Sequence, residues 1–121
     1  MSPDELQALI EEATFDYVSG APEVALEKLG RATAASPDSF EAWHALAEIN
    51  LALRRLDDAL AAAERAHGLR KEDPLAIATL SRTWMERGDK ARAEHFGAMA
   101  RVQSWKEELG SPSGPDAGGL R

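Results

Sequence analysis

The pattern of apolar and polar residues along this chain repeats with a period of 34 residues. Leu9, Trp43 and Ile77 are large apolar residues spaced 34 positions apart. Two columns of alanine keep the same spacing and phase: Ala25, Ala59 and Ala93 in the first, and Ala32, Ala66 and Ala100 in the second. Strong helix formers dominate the composition, and no run alternates apolar and polar residues as a strand would. The chain is therefore predicted to fold as three successive helical units.

Capping and turn residues divide each unit into two helices, which predicts six helices in all. Ser2, Pro3 and Glu5 form a capping-box pattern at the start of the first helix. Residues 38–41 have the pattern of a second capping box before the third helix, and Asp73 with the following proline is expected to start the fifth. Turns inside the units are expected at Gly20-Ala21-Pro22, at Leu53 to Leu56 and at Gly88.

This repeat resembles that of the tetratricopeptide repeat (TPR) family, whose unit is also 34 residues long. In that family a large apolar residue early in the first helix is followed by small residues, a glycine marks the turn, and alanines occupy the second helix. The second unit here has Trp43, Leu46, Ala47, Ala59 and Ala66 in these places. The resemblance implies an all-α, right-handed α-solenoid of three TPR-like helix pairs, and the composition of the last residues adds a flexible C-terminal tail.

The resemblance and the composition together divide the chain into a repeat domain and a tail. Residues 1–109 are expected to form one TPR-like helical repeat domain. Its units are about 6–39, 40–73 and 74–107. Residues 110–121 are rich in serine, proline and glycine and are expected to be a disordered tail. Glu94 stands where the earlier units have Leu26 and Leu60, and Arg101 stands where they have Thr33 and His67. The polar face that results predicts that no fourth unit docks at that end.

Charge and composition exclude several classes of partner and function. The chain carries a formal charge of −7, and an acidic protein repels phosphate backbones, so nucleic acid is not expected to bind. It contains no cysteine, which excludes disulfides and thiolate metal sites. No apolar run approaches the ~18 residues that cross a bilayer, and the acidic start lacks the features of a secretory signal. These observations predict a cytoplasmic protein that does not contact membranes.

No motif in the sequence indicates catalysis, a cofactor or a metal site. The glycines are single and lie at turns, and the Ser, His and Asp residues lack the context of a nucleophile elbow. His44 and Glu48 lie one helical turn apart and could both touch a metal, but a metal site usually needs three or four ligands. A solvated or hydrogen-bonded pair is the better interpretation of these two residues. The chain is therefore expected to bind another protein and not to be an enzyme.

In TPR proteins the first helices of the units line a concave groove, and the resemblance implies such a groove here. An extended or helical peptide of a partner protein would suit its mixture of apolar and charged side chains. The groove positions hold Gln7, Ile10, Thr14 and Tyr17, then Glu41, His44, Glu48 and Leu51, then Leu75, Ala78, Arg82 and Met85. Leu51 and Met85 could instead belong partly to the core.

One known use of the TPR groove is to grip the C-terminal carboxylate of a chaperone with basic and amide side chains. The matching positions in this chain hold Ile10, Thr14, Ala45, Leu75 and Thr79. None of these side chains can grip a carboxylate in that way. The groove is therefore expected to bind an internal segment of its partner.

The last helix offers a second candidate surface. Phe96, Met99, Val102 and Trp105 recur every three residues and put large apolar groups on a face that is mostly polar in the first two units. An exposed apolar stripe marks an association surface, and a two-fold dimer is its commonest outcome. The alternative function is therefore a self-assembling homodimeric scaffold. Trp105 and Leu109 could instead fold back over the open end of the repeat array.

Overall fold

The computed structural model describes residues 1–110 of the chain. These residues form six α-helices joined by short turns, and no strand occurs among them. The helices are α1 (Pro3–Val18), α2 (Pro22–Ala35), α3 (Phe40–Ala52), α4 (Leu56–Leu69), α5 (Pro74–Glu86) and α6 (Lys90–Gly110). The predicted all-α class and the six helices in three successive pairs are confirmed.

Side-chain caps determine where the first helix of each unit begins. Ser2 and Glu5 form the predicted capping box: the Glu5 amide donates to Ser2 Oγ at 3.1 Å, and the Ser2 amide donates to Glu5 Oε1 at 2.8 Å. The capping box predicted over residues 38–41 is wrong. Ser39 is the cap of α3 and accepts a hydrogen bond from the Ala42 amide at 3.1 Å, so the helix begins one residue later than that box requires.

The turn inside each unit contains one residue with a left-handed backbone. Gly20 (φ 93°) and Gly88 (φ 89°) occupy this place in the first and third units. Arg54 occupies it in the second unit with a φ of 64°, although the left-handed region favours glycine. These three residues are spaced 34 positions apart, so the turn repeats with the same period as the helices.

Small residues at the helix crossings let neighbouring backbones pack closely. Leu29 and Leu80 fill the volume beside these crossings and are 0% and 1% exposed. Each such side chain stabilises the fold by roughly 1.5–3 kcal/mol when it is buried. The alanines of the repeat that are buried almost completely are Ala13, Ala25, Ala32, Ala47, Ala59, Ala66 and Ala93. The phase of the alanine columns therefore sets how the six helices stack.

Three aromatic rings at the edge of the core are each covered by a guanidinium group. Such cation–π contacts shield one face of the ring from water while the charge itself stays hydrated. The pairs are Arg65 over Trp43 (4.5 Å from guanidinium carbon to ring centre), Arg70 over Phe40 (4.3 Å) and Arg92 over Trp84 (4.8 Å).

Consecutive helices pack against one another in chain order, and α3 also contacts α1 and α5 directly. This arrangement brings the first helices of the three units side by side along one wall of the stack of six helices. At the C-terminal end of the stack Glu94 and Arg101 are exposed.

Helix α6 is longer than its counterparts in the first two units. It has 21 residues, whereas α2 and α4 have 14 each, so its last two turns continue past the place where the others end. Gly110, the first residue of the predicted tail, is the last residue of this helix, and the rest of that tail lies outside the described residues. Within residues 1–110 there is no helix long and apolar enough to cross a membrane.

Candidate partner-binding groove

The wall formed by α1, α3 and α5 carries a groove with two hollows. The α1–α3 hollow has a volume of about 420 Å³, and the α3–α5 hollow has a volume of about 230 Å³. The α1–α3 hollow is lined by Thr14, Tyr17, Val18, Ala45, Glu48, Ile49 and Ala52. The α3–α5 hollow is lined by Leu51, Arg54, Arg82, Met85 and Glu86. Six residues of the predicted groove therefore contribute to these two hollows.

A polar network connects the two hollows. Glu48 Oε2 accepts a hydrogen bond from Thr79 Oγ1 at 2.7 Å and also pairs with Arg82 Nη2. His44 Nε2 lies 3.0 Å from Thr79 Oγ1. When the single hydroxyl hydrogen of Thr79 is donated to Glu48, its oxygen is free to accept a hydrogen bond from His44. Because Thr79 is only 1% exposed, the network joins α3 to α5 beneath the surface of the groove.

His44 is held in place by its neighbours and does not project freely into the groove. Its ring stacks on that of Phe40, with the centroids 5.5 Å apart and the planes 9° apart. Its Nε2 lies 3.5 Å from Glu48 Oε2, and that carboxylate already pairs with Arg82, whose charge would repel a cation. In the described part of the chain no group of three or more His, Cys, Asp or Glu residues could hold a metal ion. His44 and Glu48 are linked to each other through Thr79, whose hydroxyl lies within hydrogen-bond distance of both side chains.

Two residues of the predicted groove belong mainly to the core. Ile10 is 8% exposed and packs in a hydrophobic cluster formed by α1, α2 and α3, and Leu51 is 9% exposed. A side chain that is buried to this degree presents only its edge to a ligand. Met85, for which a core role was also considered, is 48% exposed and lies at the surface.

Other predicted groove residues lie at the surface, but some of them already have hydrogen-bond partners within this chain. Leu75 is 62% exposed and offers an uncovered apolar side chain near the start of α5. Gln7 Nε2 donates to Glu11 at 2.9 Å, and Arg70 Nη2 donates to Glu41 at 2.8 Å. A ligand that used Gln7 or Glu41 would have to compete with these existing contacts.

Four residues of the α1–α3 hollow were not among the predicted groove residues: Ala45 and Ile49, which are less accessible, and Val18 and Ala52, which are exposed. Val18 and Ala52 are the ones that offer apolar surface to a ligand. Val18 is 76% exposed, and Ala52 is also exposed. The two residues are 34 positions apart and directly follow Tyr17 and Leu51. An apolar residue at the same late position in two first helices was the signal in the sequence that could have identified them.

Of the four residues predicted to form an association face on α6, two are half-buried and two are exposed. Phe96 is half-buried, packs against the core cluster formed by α3, α4 and α5 and meets the ring of His67 on α4, so it belongs to the core. Met99 is also half-buried. Val102 (46% exposed) and Trp105 (62%) face solvent together with Leu109 (53%). Trp105 and Leu109 therefore do not fold back over the open end of the stack.

Two of the titratable groups with shifted pKa values, His67 and Lys28, contact a neighbouring helix outside the groove. Burial lowers the pKa of His67, whose ring meets that of Phe96 edge-on with centroids 6.0 Å apart, and the charge of Lys71 lowers it further. A hydrogen bond to Asp16 at 2.7 Å raises the pKa of Lys28. His67 on α4 contacts Phe96 of α6, and Lys28 on α2 pairs with Asp16 of α1. Both groups therefore connect helices, and neither lies in the groove.

The helix pairs, the 34-residue period and the groove along the first helices define a TPR-like helical repeat. The fold is similar to that of MamA (TM-score 0.81, 16% identity, 86% of this chain) and of SycD, a type III secretion translocator chaperone of Yersinia enterocolitica (0.80, 20%, 92%). It is also similar to a chain of the CopN–Scc3 complex (0.80, 18%, 93%). This chain spans 61% of the MamA chain, 81% of the SycD chain and 64% of the chain in the CopN–Scc3 complex.

The comparisons of sequence do not assign this chain to a family. No family model matches the chain, and no curated protein matches it. At 16–20% identity the solved structures establish the fold alone. The function therefore has to be argued from the surface of this protein.

Proposed function

We propose that this protein is an adaptor that binds a peptide segment of a partner protein in its concave groove. The α1–α3 hollow is the observation that carries the proposal. Val18 at its edge is 76% exposed, although valine is among the residues most often buried in folded proteins. Covering apolar surface of this kind stabilises a complex by roughly 25 cal/mol for each Å² removed from water.

The chemistry of the groove favours an apolar, weakly charged ligand. An apolar side chain of the peptide would enter the hollow between Tyr17, Val18 and Ala52. The acid and the base on the groove floor, Glu48 and Arg82, already pair with each other. They would offer hydrogen bonds to a peptide backbone without favouring a strongly acidic or basic segment.

Proteins of similar fold give this proposal general support. SycD is a translocator chaperone, and Scc3 forms a complex with CopN. We infer that this chain likewise works by holding another protein, and that the groove takes part in binding and not in catalysis. The proposal concerns an internal segment of the partner, because the positions that match a carboxylate clamp hold Ile10, Thr14, Ala45, Leu75 and Thr79.

A charge placed in the hollow tests the proposal. Val18→Asp should weaken capture of the partner from a lysate of the source organism by about tenfold or more, since the ligand's apolar side chain would meet a carboxylate. Val24→Asp is the matched control, because Val24 is also exposed (47%) but lies on α2, outside both hollows.

The proteins retained by the wild type and the two variants are compared by quantitative mass spectrometry. A true groove ligand is retained by the wild type and by Val24→Asp but lost with Val18→Asp. Circular dichroism confirms that all three proteins fold alike. If every retained protein binds Val18→Asp as strongly as it binds the wild type, the groove is not the binding site.

A further inference from the structure

The exposed apolar residues of α6 form a single stripe. Ala98, Val102, Trp105 and Leu109 are all exposed and are spaced four, three and four residues apart, which is the spacing of the apolar positions of a coiled coil. We call these four residues the α6 stripe. A helix face with this spacing is built to pack against another helix, and within residues 1–110 nothing covers it.

The α6 stripe lies on the side of the helix opposite to its packing face. Ala93 is buried, and Phe96, Gly97 and Ala100 are half-buried against the rest of the stack. At 3.6 residues per turn, the stripe residues point about 120–180° away from Ala93. A second helix can therefore approach α6 from the open side without displacing α5.

We propose that the α6 stripe binds the same stripe of a second copy of this chain, with the two helices antiparallel. In this arrangement Val102 of one copy faces Trp105 of the other, and Ala98 faces Leu109. Each layer then sets a large side chain against a smaller one, which lets the layers interdigitate. Two-fold symmetry repeats every contact, so one stripe is sufficient to build the whole interface.

Charges beside the stripe agree with this register. In an antiparallel pair with these layers, Arg101 of one copy lies next to Glu108 of the other, and the two-fold axis produces this ion pair twice. Both side chains are exposed. A parallel pair would instead bring Arg101 next to Lys106 of the second copy, also twice. Charges at the edges of a helix pair set its orientation, and here they favour the antiparallel one.

The size of the contact limits its strength. Residues 95–110 span about 24 Å along the helix axis, since each residue adds about 1.5 Å. A pair of such short segments is smaller than the interfaces of roughly 1,600 Å² that hold stable complexes together. The dimer therefore forms at high protein concentration and dissociates on dilution.

Sedimentation equilibrium of the full chain tests whether the dimer exists. The average mass should rise from the monomer value of 13.1 kDa toward twice that value between low-micromolar and millimolar concentration. Trp105→Ala should weaken the association by about tenfold or more and leave the helix content unchanged, because this side chain is 62% exposed. A monomer at every concentration, or undiminished association of Trp105→Ala, would overturn the proposal.

Charge exchange tests the antiparallel register. Arg101→Glu and Glu108→Arg should each weaken the dimer, since each places two pairs of like charges across the interface. The double variant restores opposite charges and should recover most of the association. If the double variant does not recover, the register is wrong. A stronger dimer with Arg101→Glu would also show this, because that change would place opposite charges side by side only in a parallel pair.

Distances between single labels give a second test of orientation. The chain has no cysteine, so Ser104→Cys and Gly110→Cys each provide one site for a spin label. The two labels at position 104 should lie at nearly the same height along the helix axes, with only the width of the helix pair between them. The labels at position 110 should be separated by a further distance of about 20 Å along the helix axis, at about 1.5 Å per residue. Parallel helices would give no separation along the axis at either position, so a distance at position 110 set by the width of the pair alone would overturn the antiparallel arrangement.

Discussion

Arg54 has the same left-handed backbone conformation as Gly88, the residue 34 positions further along the chain, with φ values of 64° and 89°. Nothing lies within 4 Å of the place where a Cβ atom would stand on Gly88, so glycine is used there for its backbone freedom and not for close packing. The guanidinium of Arg54 pairs with Glu86, but these side chains are 63% and 43% exposed. Ion pairs at such exposure contribute little to stability, so the strain at Arg54 is poorly compensated.

Arg54→Gly should raise the free energy of unfolding by about 0.5–1 kcal/mol. A non-glycine residue in the left-handed region costs roughly 1–2 kcal/mol, which exceeds the entropy that glycine loses on folding. Urea denaturation measures the change. Arg54→Ala is the control, because it removes the same ion pair but keeps the strain, and it should give no gain. Equal stabilisation by alanine and glycine would contradict this account of Arg54.

Ala59→Leu should lower the free energy of unfolding by about 1–3 kcal/mol. Ala59 is 0% exposed at a helix crossing, and three extra carbon atoms there would force α4 away from its neighbours. Ala61→Leu adds the same atoms at an exposed position of the same helix and should change stability by less than about 0.5 kcal/mol. Thermal or urea unfolding of the two variants compares them. Similar losses would mean that the crossing leaves room for a larger side chain.

Thr79→Val should lower the free energy of unfolding by about 1–2 kcal/mol. Valine keeps the shape of threonine but removes the hydroxyl that lies between Glu48 and His44, and it leaves their polar atoms without this partner. Thr79→Ser keeps the hydroxyl and should cost less, despite the lost methyl group. Urea denaturation of both variants decides between them, and a larger loss with serine would show that the hydrogen bonds contribute nothing.

The stability of this protein should fall as the pH drops through the range in which His67 titrates. Burial lowers the pKa of His67 below its usual value of 6.5, so the folded state binds this proton less readily than the unfolded state does. The loss begins near the unfolded pKa and is complete once the pH lies below the lowered, folded pKa. His67→Gln should therefore lose less stability than the wild type between about pH 7 and pH 5.

His95→Gln serves as the control for this comparison, because it changes an exposed histidine on α6. Urea denaturation at several pH values measures each protein. If His67→Gln and the wild type lose the same stability on acidification, the buried ring of His67 is not the source of the dependence.

The helices and their order could be predicted because their signals are local. Pro22 begins α2 and Gly88 ends α5 as expected, and residues 34 positions apart occupy equivalent places. The correct start of α3 could not be chosen, because Asp38 and Ser39 can both cap a helix and the sequence offers no means of ranking them. In the structure Ser39 is the cap.

The fine structure of the groove depends on how the helices are placed relative to one another. Glu48 and Thr79 lie on different helices, and their hydrogen bond depends on the distance and angle between α3 and α5. The burial of Ile10 and Leu51 likewise depends on how far each first helix is rotated toward the core. A repeat pattern assigns a residue to a helix face only approximately, so core and groove residues at the boundary cannot be separated by spacing alone.

Trp105 differs from the other two tryptophans in that, within residues 1–110, no arginine covers its ring. Trp43 and Trp84 are half-buried beneath guanidinium groups, whereas Trp105 is 62% exposed. A collisional quencher such as acrylamide therefore reaches Trp105 far more readily than the other two indoles. The intrinsic fluorescence of this chain contains an optical reporter on α6, which needs no added dye and responds to anything that shields this helix from solvent.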